Sequence, residues 1–162
     1  MRDSDIVVSI VMESRGHLAI MQSASDLLCD LEIPHEVLVM SNYTQDQAVE
    51  FTRVAQLRGL KVIIAGGAPA GGFLSVIASN TLLPVLEVAI STPQACEHPP
   101  GSDAGEANTF PNGRGSEVRS SAHRAARTAA AIVALNDCHI HERLRKWQES
   151  HTDNNHANTA EP

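Results

Sequence analysis

Hydroxyls and an imidazole follow two apolar runs of the chain. Ser14 and His17 come just after "IVVSIVM" (6–12), and Ser41, Asn42, Tyr43 and Thr44 come just after "VLVM" (37–40). Short aliphatic runs of this kind read as strands buried on both faces. In open α/β folds ligands bind beyond the carboxyl ends of such strands. A serine, tyrosine or histidine placed there can bind an anion or move a proton. A local role competes with this one. Ser14 and Thr44 are ordinary helix N-cap types, and Gln47, three residues after Thr44, completes a capping box. For Thr44 the cap is the favoured reading.

A third stretch, "AGGAPAGG" from Ala65 to Gly72, follows a strand pattern and precedes a helical one. Backbone N–H groups at a helix N-terminus favour anions, so the turn is a candidate phosphate or carboxylate cradle. The same glycines also suit a tight strand-to-helix turn with no ligand. The spacing fits neither G-x-G-x-x-G nor G-x-x-x-x-G-K-[ST], which argues against dinucleotide and P-loop sites. Cys96-Glu97-His98 has no second ligand pair at zinc spacing. In Cys138-His139-Ile140-His141-Glu142, the two histidines are two apart and point to different helix faces. No metal or other cofactor is expected.

The elements that must position these residues alternate in type. After the first strand, Leu18, Met21, Ala24, Leu28 and Leu31 recur at helical spacing over 17–31, and Pro34 closes that unit. A strand at 36–40 is followed by a helix marked by Ala48, Phe51, Val54 and Leu57 and stopped by Gly59. "KVIIAGG", a short helix over 71–80 and "PVLEVAI" complete the alternation. Strand–helix alternation predicts a parallel sheet with right-handed crossovers. The expected fold is therefore α/β, a three-layer flavodoxin-like or Rossmann-like sheet with helices on both faces. Residues 91–116 are rich in Pro, Gly, Ser and Asn and break the pattern, so a flexible loop or lid is expected there. An alanine-rich helix near 117–136 follows, with Val118, Ala122, Ala125, Ala129, Ile132 and Val133 on one face. A last helix, "DCHIHERLRKWQES", carries Ile140, Leu144 and Trp147. One domain over 1–150 and a disordered polar tail over 151–162 are expected.

Composition narrows the partners. The chain has 162 residues, 43% of them hydrophobic but only 3% aromatic, so aliphatic and alanine packing must carry the core. A formal charge of −7 argues against nucleic acid or an anionic membrane surface as the main partner. No run is apolar for the roughly 20 residues that span a bilayer. Met1-Arg-Asp-Ser-Asp lacks the basic and hydrophobic regions of a signal peptide. The odd, widely spaced Cys29, Cys96 and Cys138 read as free thiols, and a cytoplasmic location is expected.

Several stretches carry a resemblance: "VSIVMES" with "AIMQSASDLLCDLEIPHEVLVMS" after it, "VIIAGGAPAG", "SNTLLPVLEVAI" and "AAAIVALNDCHIHERLRKW". Over about 6–148, with almost no gaps, the chain resembles the PurE-type (class I) carboxyaminoimidazole ribonucleotide mutases of purine biosynthesis, the AIR carboxylase family. The resemblance implies a flavodoxin-like sheet and a homo-octamer tied together in part by a C-terminal helix. It also implies a small-molecule substrate, a carboxylated heterocycle or nucleotide.

At the site the resemblance thins. The family's first motif is close to M-G-S-x-S-D; here it reads Met12-Glu13-Ser14-Arg15-Gly16-His17. The second, S-A-H-R-T-P, reads Ser41-Asn42-Tyr43-Thr44-Gln45-Asp46, so the family's proton-carrying histidine falls on Tyr43 and its phosphate-binding arginine on Thr44. The third, A-G-x-G-G-A-A-H-L-P-G, reads Ala65 to Ser75, and the second family histidine falls on Gly72. The family's following segment, a leucine-bearing helix ending in Q-M-P, is not recognisable in 91–116. A charged hydrogen bond to phosphate is worth roughly 1.5–3 kcal/mol, and Glu13 adds a repelling charge. Exchanging histidine (pKa about 6.5) for tyrosine (about 10) leaves a poor proton shuttle near neutral pH. Arg114 or Arg119 could return positive charge.

Two readings stay open, with a third behind them. In the first, the chain is an enzyme of altered specificity, working by proton transfer, carboxylation or decarboxylation. His17 and Tyr43 are then the acid–base pair, while Ser14, Ser41, Asn42, Thr44, Gly66, Gly67, Ala68, Gly71 and Gly72 bind the substrate. In the second it is a non-catalytic binding, regulatory or structural subunit. The family's own mutase reaction is the third.

Overall fold

Every residue of β1 (Val8–Met12) is buried, Ser9 included, as a central parallel strand built almost wholly of aliphatic residues requires. The computed structural model describes residues 6–69, 72–90 and 113–157. β1 lies between β2 (His35–Val39) and β3 (Val62–Gly67), and β4 (Val85–Ala89) completes the described sheet in the order β2-β1-β3-β4. All described pairings are parallel, with Met12 opposite Val39 on one side and Gly66 on the other. The expected flavodoxin-like α/β architecture is present.

Side chains of a strand alternate between faces, and β1 divides accordingly. Val8, Ile10 and Met12 join Met21, Leu28, Ala122, Ala126 and Ala129 in one cluster. This is the layer of α1 (Leu18–Asp30) and α4 (Gly113–Ala134). Val11 turns the other way and packs with Ala48, Ala55, Ile63, Phe73 and Ile77. That is the layer of α2 (Gln45–Leu57) and α3 (Phe73–Ser79). The scarcity of aromatics is answered on the first face by alanine: Ala122, Ala126, Ala129 and Ala130 are fully buried, so α4 can lie close to its neighbours. α5 (Cys138–Ala157) buries Ile140 and Leu144 and rests Trp147 against the same cluster. Its Arg143 donates to the carbonyls of Leu31 and Glu32 at 3.1 and 3.2 Å, fastening it to the end of α1.

Two boundaries differ from the sequence reading. α4 begins at Gly113, inside the stretch expected to be a loop; the rest of that stretch, with Cys96-Glu97-His98, lies outside the described residues. α5 continues to Ala157, past the point where the polar tail was expected to begin. Trp147 stacks on His151 with ring centroids 4.1 Å apart, and His151 Nδ1 is 2.9 Å from the Trp147 carbonyl. These contacts carry the helix beyond its apolar stripe. Among the described residues no helix is long and apolar enough to cross a membrane.

α2 starts where the local code says it should. The Gln47 N–H donates to Thr44 Oγ1 at 3.3 Å and the Thr44 N–H donates to Gln47 Oε1 at 3.0 Å, a complete capping box. Thr44→Ala is expected to cost about 1 kcal/mol in chemical denaturation, because the Gln47 N–H loses its acceptor. A change of a few tenths only would mean that water replaces the box without loss.

Candidate functional site

The order β2-β1-β3 places the reversal of chain direction between β1 and β3, and the crevice at that point is where open parallel sheets take ligands. The ends of β1, β2 and β3 deliver Glu13–His17, Ser41–Thr44 and Gly66–Ala68 to this edge. Each segment is held by its own local chemistry.

Beyond β1, Ser14 caps a 3-10 turn (Arg15–His17), its Oγ accepting from the Gly16 N–H at 3.2 Å. His17 closes the turn through its backbone N–H to the Ser14 carbonyl at 3.1 Å. Its side chain is only 3% exposed, and Nδ1 is buried with no hydrogen-bond partner among the described residues. A buried polar atom without a partner is uncommon enough to mark a position.

Beyond β2, Ser41 and Asn42 are exposed. Asn42 has φ 55°, a left-handed conformation that asparagine tolerates better than most residues. That turn brings Tyr43 inward. Its ring meets Phe73 edge-on, with centroids 4.9 Å apart and planes at 68°, and it packs against the second-face cluster. Burial holds the Tyr43 hydroxyl above its ordinary pKa of 10.0, and the negative charge of Glu13 adds to this. Thr44 spends its hydroxyl on the α2 cap.

Beyond β3, the glycines face the protein's own side chains. A Cβ on Gly66 would stand 2.7 Å from Met21 Sδ, and one on Gly67 would stand 3.1 Å from Phe73 Cδ1 and 3.3 Å from Glu13 Cδ. The Ala68 N–H, in the turn read as a cradle, donates to Glu13 Oε1 at 2.6 Å. Gly71 lies outside the described residues. Gly72 has φ 74° and precedes α3, a helix of only seven residues, so its glycine answers the backbone turn.

The structure therefore brings together Tyr43, Glu13, Phe73 and the Gly67–Ala68 turn. His17 leads into α1 on the first face, whereas Tyr43 packs with the second-face cluster. Arg119 is exposed on α4, its carbonyl accepting from Ser23 Oγ at 3.1 Å. Among the described residues no group of three or more His, Cys, Asp or Glu could hold a metal ion. Sequence reasoning gave Glu13 only a repelling charge and missed Phe73. The bond from Glu13 to Ala68 spans 55 positions, and no local spacing signals it.

Tyr43 offers a clean readout because it is the chain's one tyrosine. Ultraviolet titration of phenol ionisation is expected to give a midpoint above 10.0, moving down towards it in Glu13→Gln. Since the folded protein favours the neutral phenol, the associated stability is present below about 10 and is lost as pH rises through the raised value. A midpoint indifferent to Glu13 would contradict the placement of the two groups.

Comparison with known proteins gives a consistent result. Residues 7–154 match the family described as AIR carboxylase. The chain is 34% identical to the N5-carboxyaminoimidazole ribonucleotide mutase of Escherichia coli (strain K12), covering 94% of this chain and 91% of that one. It is 33% identical to the mutase of the same name from Haemophilus influenzae, covering 90% of each. Among solved structures, Treponema denticola PurE superposes with a TM-score of 0.68 at 14% identity, over 91% of this chain and 92% of that one. A Treponema denticola PurE2 variant reaches 0.71 at 13%, over 98% and 96%.

Proposed function

Because the chain belongs to the AIR carboxylase family, we propose that it is an enzyme of altered specificity on that scaffold. It acts on a carboxylated or heterocyclic small molecule by proton transfer, carboxylation or decarboxylation. The observation that carries this reading is the pairing of Tyr43 with Glu13 in the strand-end crevice. Burial and the Glu13 charge keep the phenol neutral at neutral pH, so it offers an O–H that a developing negative charge on the substrate can draw on. His17, buried with an unpartnered Nδ1, leads into α1 on the other face of the sheet and is a separate proton-handling group rather than the direct partner of Tyr43. Ser14, Ser41 and Asn42 are the hydroxyls and amide through which a substrate would be oriented. Assembly as a homo-octamer belongs to the same proposal, and light scattering checks it.

The second reading is the mutase reaction itself. Identity of about a third with the Escherichia coli mutase along nearly the whole chain favours it. The two separate experimentally. Purified protein is offered a series of heterocyclic carboxylic acids, with and without a phosphoribosyl group, each carrying a labelled carboxyl carbon. Altered specificity predicts loss or migration of the label on members lacking phosphate. Turnover confined to the phosphoribosyl member supports the mutase reading, and no turnover on any member sinks both.

A further inference from the structure

Glu13 is the first residue beyond β1, at the β1–β3 crevice. Its backbone N–H donates to the Gly66 carbonyl at 3.3 Å, which prolongs the β1–β3 ladder by one step and sets the direction of its side chain. Oε1 accepts the Ala68 N–H at 2.6 Å, a short, charge-assisted bond. The carboxylate lies against the end of β3, where a Cβ on Gly67 would come within 3.3 Å of Cδ and 3.4 Å of Oε2. Glycine at 67 is what makes room for it. The side chain is half-buried, and its charge reaches Tyr43. The amide that the glycine turn could offer to a ligand oxyanion is thus already satisfied by an oxyanion of the chain.

We propose that Glu13 is the specificity residue of the crevice. Its carboxylate occupies the place of a ligand oxyanion at the Ala68 amide, so this one position receives an amino or ring N–H group and turns a ligand's phosphate or carboxylate away from that amide, towards the Ser14 and Ser41 side of the crevice. The reason is twofold. A second anion would find its donor taken, and it would meet a like charge in a partly desolvated position where repulsion is stronger than in water. A ligand N–H, by contrast, gains an acceptor already held in place. This inference rests on the reading of the crevice as a small-molecule site, and its test reads the Ala68 amide directly, independently of any turnover.

The experiment is amide-resolved NMR on the full chain, titrated separately with inorganic phosphate and with acetate. In the wild type the Ala68 amide is expected not to saturate with either probe. In Glu13→Gly or Glu13→Ala it is expected to shift and saturate, with affinity for at least one probe raised tenfold or more. The two probes separate phosphate from carboxylate as the excluded group. A folded variant whose Ala68 amide ignores both probes overturns the proposal, as does a wild type that binds them equally well.

Discussion

Phe73→Ala is expected to destabilise the protein by about 3–5 kcal/mol, the usual cost of emptying a large aromatic site in a core. Phe73 is fully buried and is among the largest fully buried side chains. It fills the space between the Gly67 Cα and the Tyr43 ring, beside Leu74 and Ile77 of its own helix in the same cluster. The edge-on contact with Tyr43 adds its own increment, about 0.5–1.5 kcal/mol beyond area alone. For a chain of this size the loss corresponds to a fall in Tm of roughly 6–20 °C. Thermal and urea unfolding measure it directly. A loss below about 1 kcal/mol would mean that α3 collapses onto β3 without a cavity, and that Tyr43 is not positioned by this ring.

The second large effect is chemical. If Tyr43 donates the proton in the step proposed above, Tyr43→Phe is expected to lower kcat by about 10²–10⁴, the range for a positioned acid–base group. KM is expected to change little, because the ring and its contact with Phe73 remain. The discriminating feature is the split between the two constants. A rise in KM at constant kcat would assign Tyr43 to binding, and retained activity would remove it from the mechanism. Stability gives the control, since the phenyl ring keeps the packing and only the hydroxyl is lost.

How much of this was legible in the sequence depends on the range of each interaction. The strands were legible because a parallel strand covered on both faces must be almost wholly apolar, and Val8–Met12, apart from Ser9, and Val62–Gly67 are. The α2 cap was legible because Thr44 and Gln47 are three residues apart and satisfy each other. The crevice was less so. Gly66 and Gly67 read as a possible cradle, yet their missing Cβ atoms make room for Met21, Phe73 and Glu13, which arrive from other parts of the chain. Similarly, Ser25 Oγ lies 2.8 Å from His35 Nε2, and His35 Nδ1 lies 2.9 Å from the Ile33 carbonyl. That link between α1 and β2 depends on how the helix lies across the strand, which no periodicity encodes. Glu13 is the telling case. Its identity was visible, and its charge could be weighed, but only the pairing of β1 with β3 shows which amide it takes.

The reading proposed above requires that the family scaffold carry a crevice here that no longer takes a phosphorylated substrate. The most direct test is to add N5-carboxyaminoimidazole ribonucleotide, labelled at the carboxyl carbon, to the purified protein and follow migration of the label to the ring carbon. With altered specificity, migration is expected at the uncatalysed rate. Migration with kcat/KM in the ordinary enzymatic range of about 10⁴–10⁸ M⁻¹s⁻¹ would contradict it and establish the chain as a working mutase.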